Sequence, residues 1–239
     1  MKILFLGLCK FQNTDALSEL NPFQKIKKDL ELCDIVILNI NGVISTFDSE
    51  HTSKGEQLLF LKKLCGTKPI YVNHKNEHML VNGDKSVTST TNFLSKHNFY
   101  FSTSTFRPFV YDDIAVFNII DCDIITNSKC ISYILPFNIN TNFDNLILRF
   151  LQGMKYEGKT NIVLYKICNN FIKFKKTAET LIAIGFNIVI GYGNIDAYQK
   201  KYEKFLNGLI VYDLGIFFDN TKYSLNSYIG NCMLINIKT

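Results

Sequence analysis

Short apolar runs alternate along most of the chain with segments whose apolar residues recur at helical spacing. Lys2–Leu8 and Asp34–Ile40 are continuous apolar runs, typical of strands that are buried on both faces of a parallel sheet. Between them, Pro22–Glu31 has the apolar spacing of a helix, with Asn21 placed to cap its start. This order predicts a strand–helix–strand unit with a right-handed crossover.

The same alternation continues to the end of the chain. Helices are predicted at Ser53–Leu64, Asp84–His97, Phe143–Met154 and Thr177–Ile184. Strands are predicted at Pro69–Asn73, Asn98–Ser102, Phe109–Tyr111, Ile114–Ile120, Asn161–Ile167, Asn187–Ile190, Leu209–Asp213 and Tyr228–Ile237. The closely spaced strands after residue 97 indicate a second, mixed sheet. The predicted fold class is α/β, with a largely parallel sheet and a second mixed sheet flanked by helices, in one domain spanning residues 1–239.

Composition and charge narrow the class of protein. Hydrophobic residues make up 47% of the 239 residues and charged residues 20%, so the chain can bury a sizeable core. The formal net charge of +5 is spread over single lysines, without the Arg-rich tract or aromatic–basic pattern of a nucleic-acid site. The densest lysine groups lie within or beside segments interpreted as helices or helix starts, and they form either a solvated face or an anion-attracting surface. These groups are Lys25/Lys27/Lys28, Lys173/Lys175/Lys176 and Lys200/Lys201.

Cysteine usage and the first residues bear on location. The seven cysteines form no C-x-x-C pair, their number is odd, and several lie inside apolar runs such as the one around Cys33. That pattern indicates small buried side chains in a reducing compartment. The apolar run that opens the chain is too short for a signal peptide, and no run is long enough to span a bilayer. The prediction is a soluble cytoplasmic protein without a membrane span.

Candidate site residues follow the predicted strands, since ligands of parallel α/β folds bind at the carboxyl ends of strands. They lie at Gly7–Cys9, Asn39–Gly42, Asn73–His74, Lys166–Cys168, Gly191–Asp196 and Gly215. The stretch from Gly191 to Asn194 suggests a phosphate loop. It lacks both the third glycine of the dinucleotide motif and the Lys-Ser/Thr of a P-loop, so a tight turn is its ordinary role.

Several of these segments resemble the CapA-type capsule and poly-γ-glutamate synthesis proteins. Gly208–Asp219 resembles the closing motif of that family, roughly xLIxYSLGNFxFD. Asn39–Ser45 is similar to its NLEGVxS segment, and Val72-Asn73-His74 to the end of its ANNH segment. Asn161–Lys166 resembles the strand ending in SLHWG, and Ile182–Asp196 the segment LIDAGADVVIGHHPHV. The resemblance implies a metallophosphoesterase-like α/β sandwich.

The positions that carry chemistry in this family depart from its pattern. Leu8 stands in the place of an Asp, Asn41 of a Glu, and Lys166 of a His. Tyr192, Gly193 and Ile195 replace three His, Asp213 replaces Ser and Ile216 replaces Asn. A divalent metal site needs several carboxylate, imidazole or amide ligands, whereas Leu8 offers none and Lys166 repels a cation. We therefore expect no bound metal and no cofactor.

The residues that remain define the candidate site. Asn73 and His74 are the candidates for any residual catalysis, and Asn39, Asn41, Lys166 and Tyr192 are the candidates for ligand binding. We expect one cleft to be lined by Leu8, Asn39, Asn73, His74, Lys166 and Tyr192.

Each of these assignments has a simpler alternative. His74 and His78, with Glu77 between them, would share one face of a helix as metal ligands, or they are two loop residues. Lys166 is an anion binder or a surface lysine. Cys9 or Cys168 could pair with His74 for thiol chemistry, or both are inert core thiols.

The resulting interpretation is a degenerate CapA-like protein, non-catalytic or altered, with a binding or accessory role in capsule polysaccharide or polyanion biosynthesis. One alternative is an active phosphoesterase-like hydrolase that uses Mn²⁺ or Zn²⁺ at an altered site. Another alternative is a protein-binding module on a borrowed scaffold. The partners under consideration are an anionic small molecule, a polysaccharide or other polyanion, or a protein.

Overall fold

The computed structural model describes residues 1–10, 22–44, 52–53, 55–74, 84–102, 107–120, 151–167, 171–193, 202–212, 214–219 and 232–237. The chain divides into two compact units. The first comprises Met1–Phe101 and Ile216–Thr239, and the second comprises Ser102–Gly215. Each unit contains one large sheet, and the prediction that both belong to a single domain stays a prediction.

Thirteen strands and four α-helices are described. The strands are β1 (Lys2–Lys10), β2 (Ile35–Ile40), β3 (Val43–Ile44), β4 (Thr52–Ser53), β5 (Ile70–Asn73), β6 (Phe109–Tyr111), β7 (Ile114–Ile120), β8 (Thr160–Ile167), β9 (Ile188–Gly193), β10 (Tyr202–Phe205), β11 (Gly208–Val211), β12 (Ile216–Asp219) and β13 (Cys232–Asn236). The helices are α1 (Lys27–Leu32), α2 (Glu56–Cys65), α3 (Asp84–Lys96) and α4 (Phe171–Ala183). Residues 151–154 are helical as well, within the predicted helix Phe143–Met154.

The sheet of the first unit is parallel in its main body. Its order is β12-β1-β2-β5, and β13 pairs antiparallel with β1. Two strands pair with the same side of β1: β13 pairs with Lys2–Leu6, and β12 pairs with Leu8–Lys10. On the other side, the pairing of β1 with β2 shifts in register between Leu6 and Leu8. The carboxyl ends of β1, β2 and β5 therefore meet at one edge of the sheet.

Both faces of this sheet are buried, as the continuous apolar runs predict. One face packs against the helices through a cluster that includes Leu6, Leu38, Val72 and Leu61. Burying each such side chain stabilises the fold by roughly 1.5–3 kcal/mol. The other face is also shielded from solvent, because Ile3, Phe5 and Ile37 have at most 1% of their surface exposed.

The sheet of the second unit combines a parallel centre with antiparallel edges. Its order is β10-β11-β9-β8-β7-β6. The four inner strands run parallel, and each edge strand forms a hairpin with its neighbour. Helix α4 packs Phe174 and Leu181 against Tyr165 and Val189 on one face of this sheet. The predicted α/β class, with two sheets flanked by helices, is confirmed.

Several element boundaries differ from the predicted ones. Pro22–Ile26 forms a 3₁₀ turn before α1, as is common at helix starts, while the predicted cap Asn21 lies outside the described residues. Helix α2 begins at Glu56, because Gly55 adopts φ 76° and Ser53 belongs to a strand. It ends before Gly66, as predicted.

Two further predicted elements are wrong in extent. Asn98–Ser102 is not a strand, because only Tyr100 bridges Tyr71 there. Helix α4 begins at Phe171, six residues before the predicted Thr177, and its first half buries Phe174. Helix α3 was predicted within one residue, although its sequence is rich in Thr. The hydroxyl of Thr90 accepts a hydrogen bond at 3.0 Å from the backbone N–H of Ile44 in β3.

The described cysteines are free thiols. Cys9, Cys33 and Cys65 are buried, and Cys232 is half-buried. Burial raises the pKa of all four thiols, and it raises the pKa of Cys65 from 9.0 to about 12. They therefore stay protonated at neutral pH, which fits the prediction of inert core cysteines.

These raised pKa values predict a loss of stability in alkali. As the pH rises, the Cys65 thiol of the unfolded chain, with a pKa near 9.0, ionises at a lower pH than the buried thiol of the folded chain. The contribution of the Cys65 thiol to stability is therefore complete below pH 9 and decreases above it. For this residue alone we expect a loss of about 1.4 kcal/mol between pH 8 and 10. Urea denaturation at both pH values, with Cys65→Ala as reference, measures it. An identical pH dependence in the two proteins would contradict the burial argument.

None of the helices described in these ranges is long and apolar enough to cross a membrane.

Candidate functional site

The amides of Asn39 and Asn73 form a buried pair at the strand ends of the first unit. Asn39 is the fifth residue of the six-residue strand β2, Asn73 ends β5, and the two are partners in register. Nδ2 of Asn73 donates to Oδ1 of Asn39 at 2.8 Å, and Nδ2 of Asn39 donates to the carbonyl oxygen of Leu6 at 3.3 Å. Both side chains are only 1% exposed. The Asn39 amide is thus fixed in one orientation by protein groups.

Leu8 completes a row of three neighbours across β1, β2 and β5. It is the register partner of Asn39, and its isobutyl group is buried. The row therefore consists of Leu8, Asn39 and Asn73, whereas the family resemblance predicts an Asp in the place of Leu8. An apolar side chain here provides no ligand atom for a cation.

His74 directly follows Asn73 and is 2% exposed. Its ring meets that of Phe101 edge-on, with the centroids 5.6 Å apart. The residue lies just beyond the end of β5 and not in a helix. Glu77 and His78 lie outside the described residues, so the predicted pairing of the two histidines stays a prediction.

Cys9 and Asn41 lie beside this row. The Cys9 thiol is buried and contacts the carbonyl oxygen of Gly7 at 3.6 Å. Burial raises its pKa, so the thiol is poorly suited to act as a nucleophile. Asn41 follows β2, is partly exposed, and donates its backbone N–H to the carbonyl oxygen of Cys9 at 2.8 Å. The backbone pairing of β1 with β2 therefore continues through Asn41.

In the second unit, Lys166 and Tyr192 are register partners on β8 and β9. Lys166 is only 4% exposed and Tyr192 only 1%. The interpretation of Lys166 as a surface lysine is therefore wrong. In-register residues of parallel strands point to the same face, so the two side chains lie on the same face of this sheet, on neighbouring strands.

The two glycines that flank Tyr192 allow a close approach of backbone on the opposite face. A Cβ atom at Gly191 would lie 2.4 Å from the carbonyl oxygen of Tyr212, and one at Gly193 would lie 2.6 Å from that of Ile167. The Gly-Tyr-Gly sequence is thus part of strand β9, and the predicted tight turn at Gly191 is wrong. Asn194, Ile195 and Asp196 lie outside the described residues.

Asn118 is a buried polar residue that the sequence interpretation missed. It lies in β7, is 4% exposed, and is the register partner of Leu164, two residues before Lys166. Since side chains alternate along a strand, Asn118 lies on the same face as Lys166. A single amide within the apolar run Ile114–Ile120 was the available sequence clue.

The structure brings together Leu8, Asn39, Asn73 and His74 in one unit, and Asn118, Lys166 and Tyr192 in the other. The expectation that both sets line one cleft stays a prediction. Within the described ranges, no three His, Cys, Asp or Glu side chains are grouped so that they could hold a metal ion. Cys168 and Asp213 lie outside those ranges.

No protein-family model matches the chain, and no curated protein matches it. Among solved structures, the chain is similar to one described as a novel phosphatase from Mycoplasma pneumoniae. The sequence identity is 16%, the alignment covers 90% of this chain and 72% of that one, and the TM-score is 0.49. The resemblance to the CapA-type proteins rests on the sequence segments alone.

Proposed function

We propose that this protein is a metallophosphoesterase-like relative of the CapA-type proteins that has lost its metal site. In this proposal it is non-catalytic and binds an anionic ligand, as an accessory component in capsule polysaccharide or polyanion biosynthesis. The observation that carries the proposal is the row of Leu8, Asn39 and Asn73. It contains no carboxylate, and its central amide is hydrogen-bonded to protein groups on both sides.

The chemistry of this row argues against a working divalent site. Catalytic metal centres hold their ion with several carboxylate or imidazole ligands, which this row lacks. Oδ1 of Asn39, the atom that could ligate a cation, already accepts a hydrogen bond from Asn73. His74 is then the only imidazole among the residues proposed for this site.

Four of the candidate residues are proposed to bind the ligand. Asn39, Asn41, Lys166 and Tyr192 are the ligand-binding candidates, and the positive charge of Lys166 favours an anion over a metal ion. The buried free thiols support a cytoplasmic location, where cysteines stay reduced.

A hydrolysis assay separates this proposal from the alternative of an altered hydrolase. Purified protein is incubated with p-nitrophenyl phosphate and either Mn²⁺ or Zn²⁺, with His74→Ala and Asn73→Ala as controls. We expect no metal-dependent turnover above that of the controls. Turnover that depends on the metal and disappears in both variants would overturn the non-catalytic assignment.

Binding assays separate the proposal from the third alternative, a protein-binding module. Titration with poly-γ-glutamate and with polyphosphate should show binding that weakens with ionic strength, as expected for a charged ligand. Absence of binding to either polymer, together with a stoichiometric protein partner in a pull-down, would favour the protein-binding module.

A further inference from the structure

We propose that the hairpin formed by β10 and β11 attaches this protein reversibly to an anionic lipid surface, with Leu206 as the side chain that inserts. Phe205 and Gly208 are the last paired residues of the hairpin, so Leu206 and Asn207 form a two-residue loop at its tip. Leu206 is 70% exposed, the largest exposed fraction among the large hydrophobic side chains described. The proposal goes beyond the proposed function and does not depend on it.

The backbone conformation of Leu206 also disfavours a leucine. Its φ is 49°, in the left-handed region that glycine, asparagine and aspartate adopt more readily than a bulky apolar residue. The hairpin of β6 and β7 is an internal comparison, because its two-residue loop has Asp112 at φ 46°. The fold therefore needs a turn-forming residue at the tip and does not need leucine. Exposure and conformation both indicate that Leu206 contacts something outside the chain.

The charge behind the tip favours an anionic partner. Between residues 202 and 211, the charged residues are Glu203 and Lys204. Glu203 is half-buried and accepts a hydrogen bond from the hydroxyl of Tyr212, whereas Lys204 is exposed. The sequence adds Lys200 and Lys201 directly before β10. Lysines next to an exposed apolar side chain are attracted to the negative surface of anionic lipids.

The spacing along β10 matches the layers of a bilayer surface. A strand advances about 3.3 Å per residue, so Lys204 lies roughly 7 Å and Tyr202 roughly 13 Å behind Leu206. The headgroup layer is about 5–8 Å thick. With Leu206 at the hydrocarbon boundary and the strand along the membrane normal, Lys204 reaches the lipid phosphates. The exposed ring of Tyr202 then lies at the outer side of the interface, a region in which tyrosine is enriched.

Tryptophan fluorescence tests insertion directly, because the chain contains no tryptophan. Leu206→Trp introduces a single reporter at the tip, and Leu32→Trp, at a position of α1 that is 54% exposed, is the matched control. The probe is vesicles of equal parts phosphatidylglycerol and phosphatidylcholine. We expect the emission of Leu206→Trp to shift to shorter wavelength and to be quenched by brominated acyl chains. The emission of Leu32→Trp should show neither change.

Co-sedimentation with the same vesicles measures what each side chain contributes. Leu206→Asn should weaken partitioning about tenfold or more, because the inserted apolar surface is lost. This variant should fold at least as well as wild type, since asparagine adopts a positive φ more readily than leucine. Lys204→Met should weaken partitioning roughly fivefold, and only with anionic vesicles. Lys176→Met, at an exposed position of α4, removes the same charge and should change partitioning less than about twofold.

Three results would overturn the proposal: no binding of the wild-type protein to anionic vesicles, equal binding by Leu206→Asn, or a Leu206→Trp emission that neither shifts nor is quenched. Loss of poly-γ-glutamate binding or of a protein partner in Leu206→Asn, without vesicle binding by wild type, would assign the tip to that partner instead. Vesicle binding without polymer binding would retain this proposal and remove the accessory role. Polymer binding without vesicle binding would do the opposite.

Discussion

Replacing Asn39 by Leu should lower the free energy of unfolding by about 3 kcal/mol, because two buried polar atoms lose their partner. Nδ2 of Asn73 loses its acceptor at 2.8 Å, and the carbonyl oxygen of Leu6 loses its donor at 3.3 Å. Equilibrium denaturation in guanidinium chloride measures the change. Asn236→Leu, at an exposed position of β13, is the matched control and should stay within about 0.5 kcal/mol of wild type.

A double-mutant cycle shows whether the amides of Asn39 and Asn73 contribute to stability mainly through their mutual hydrogen bond. The double variant Asn39→Leu/Asn73→Leu should be less destabilised than the sum of the single variants, by about 1–2 kcal/mol, because it removes both members of a buried pair. Strictly additive losses would argue against the pair. Added Mn²⁺ that raises the stability of wild type but not of Asn39→Leu would identify Asn39 as a metal ligand instead.

Replacing Gly191 by Ala should destabilise the second unit by about 2–4 kcal/mol, near the upper end of overpacking effects. The added Cβ would lie 2.4 Å from the carbonyl oxygen of Tyr212, 2.7 Å from Cδ1 of Ile167 and 2.8 Å from Cζ of Phe174. The backbone oxygen cannot move without disturbing the chain beside β9. Thermal unfolding measures the effect, and a loss of 1 kcal/mol corresponds to about 2–4 °C for a chain of this size.

Gly153→Ala is the control for this substitution. Gly153 is exposed and helical, and a Cβ there meets nothing within 4 Å. Alanine at such a position should stabilise the protein by up to about 1 kcal/mol, since glycine disfavours helix. Similar effects of both substitutions, in sign and size, would show that the close approach at Gly191 is not important for stability.

The sequence predicted the strands well where both faces are buried. A continuous apolar run such as that of β2 or β8 has one simple interpretation, and both lie within one residue of their predicted bounds. Edge strand β10 was missed because its side chains alternate between exposed and half-buried and include Glu203 and Lys204. Such a segment resembles a loop as much as it resembles a strand.

The sequence identified the candidate site residues without determining their environment. Asn39 and Asn73 follow apolar runs, so their positions at strand ends were predictable, but their mutual hydrogen bond depends on the register between β2 and β5. Lys166 could not be judged buried from sequence, because a lysine near a strand end is compatible with solvent as well. Its burial depends on how much of that sheet face is covered, which is a property of the whole fold.

Elemental analysis measures directly whether the protein has lost its metal site. The protein is purified without chelator from cells supplied with Mn²⁺ and Zn²⁺, dialysed, and analysed beside His74→Ala. We expect no stoichiometric transition metal in either protein, because the row of Leu8, Asn39 and Asn73 lacks a carboxylate. Roughly one or two ions per chain in the wild type, lost in His74→Ala, would contradict it.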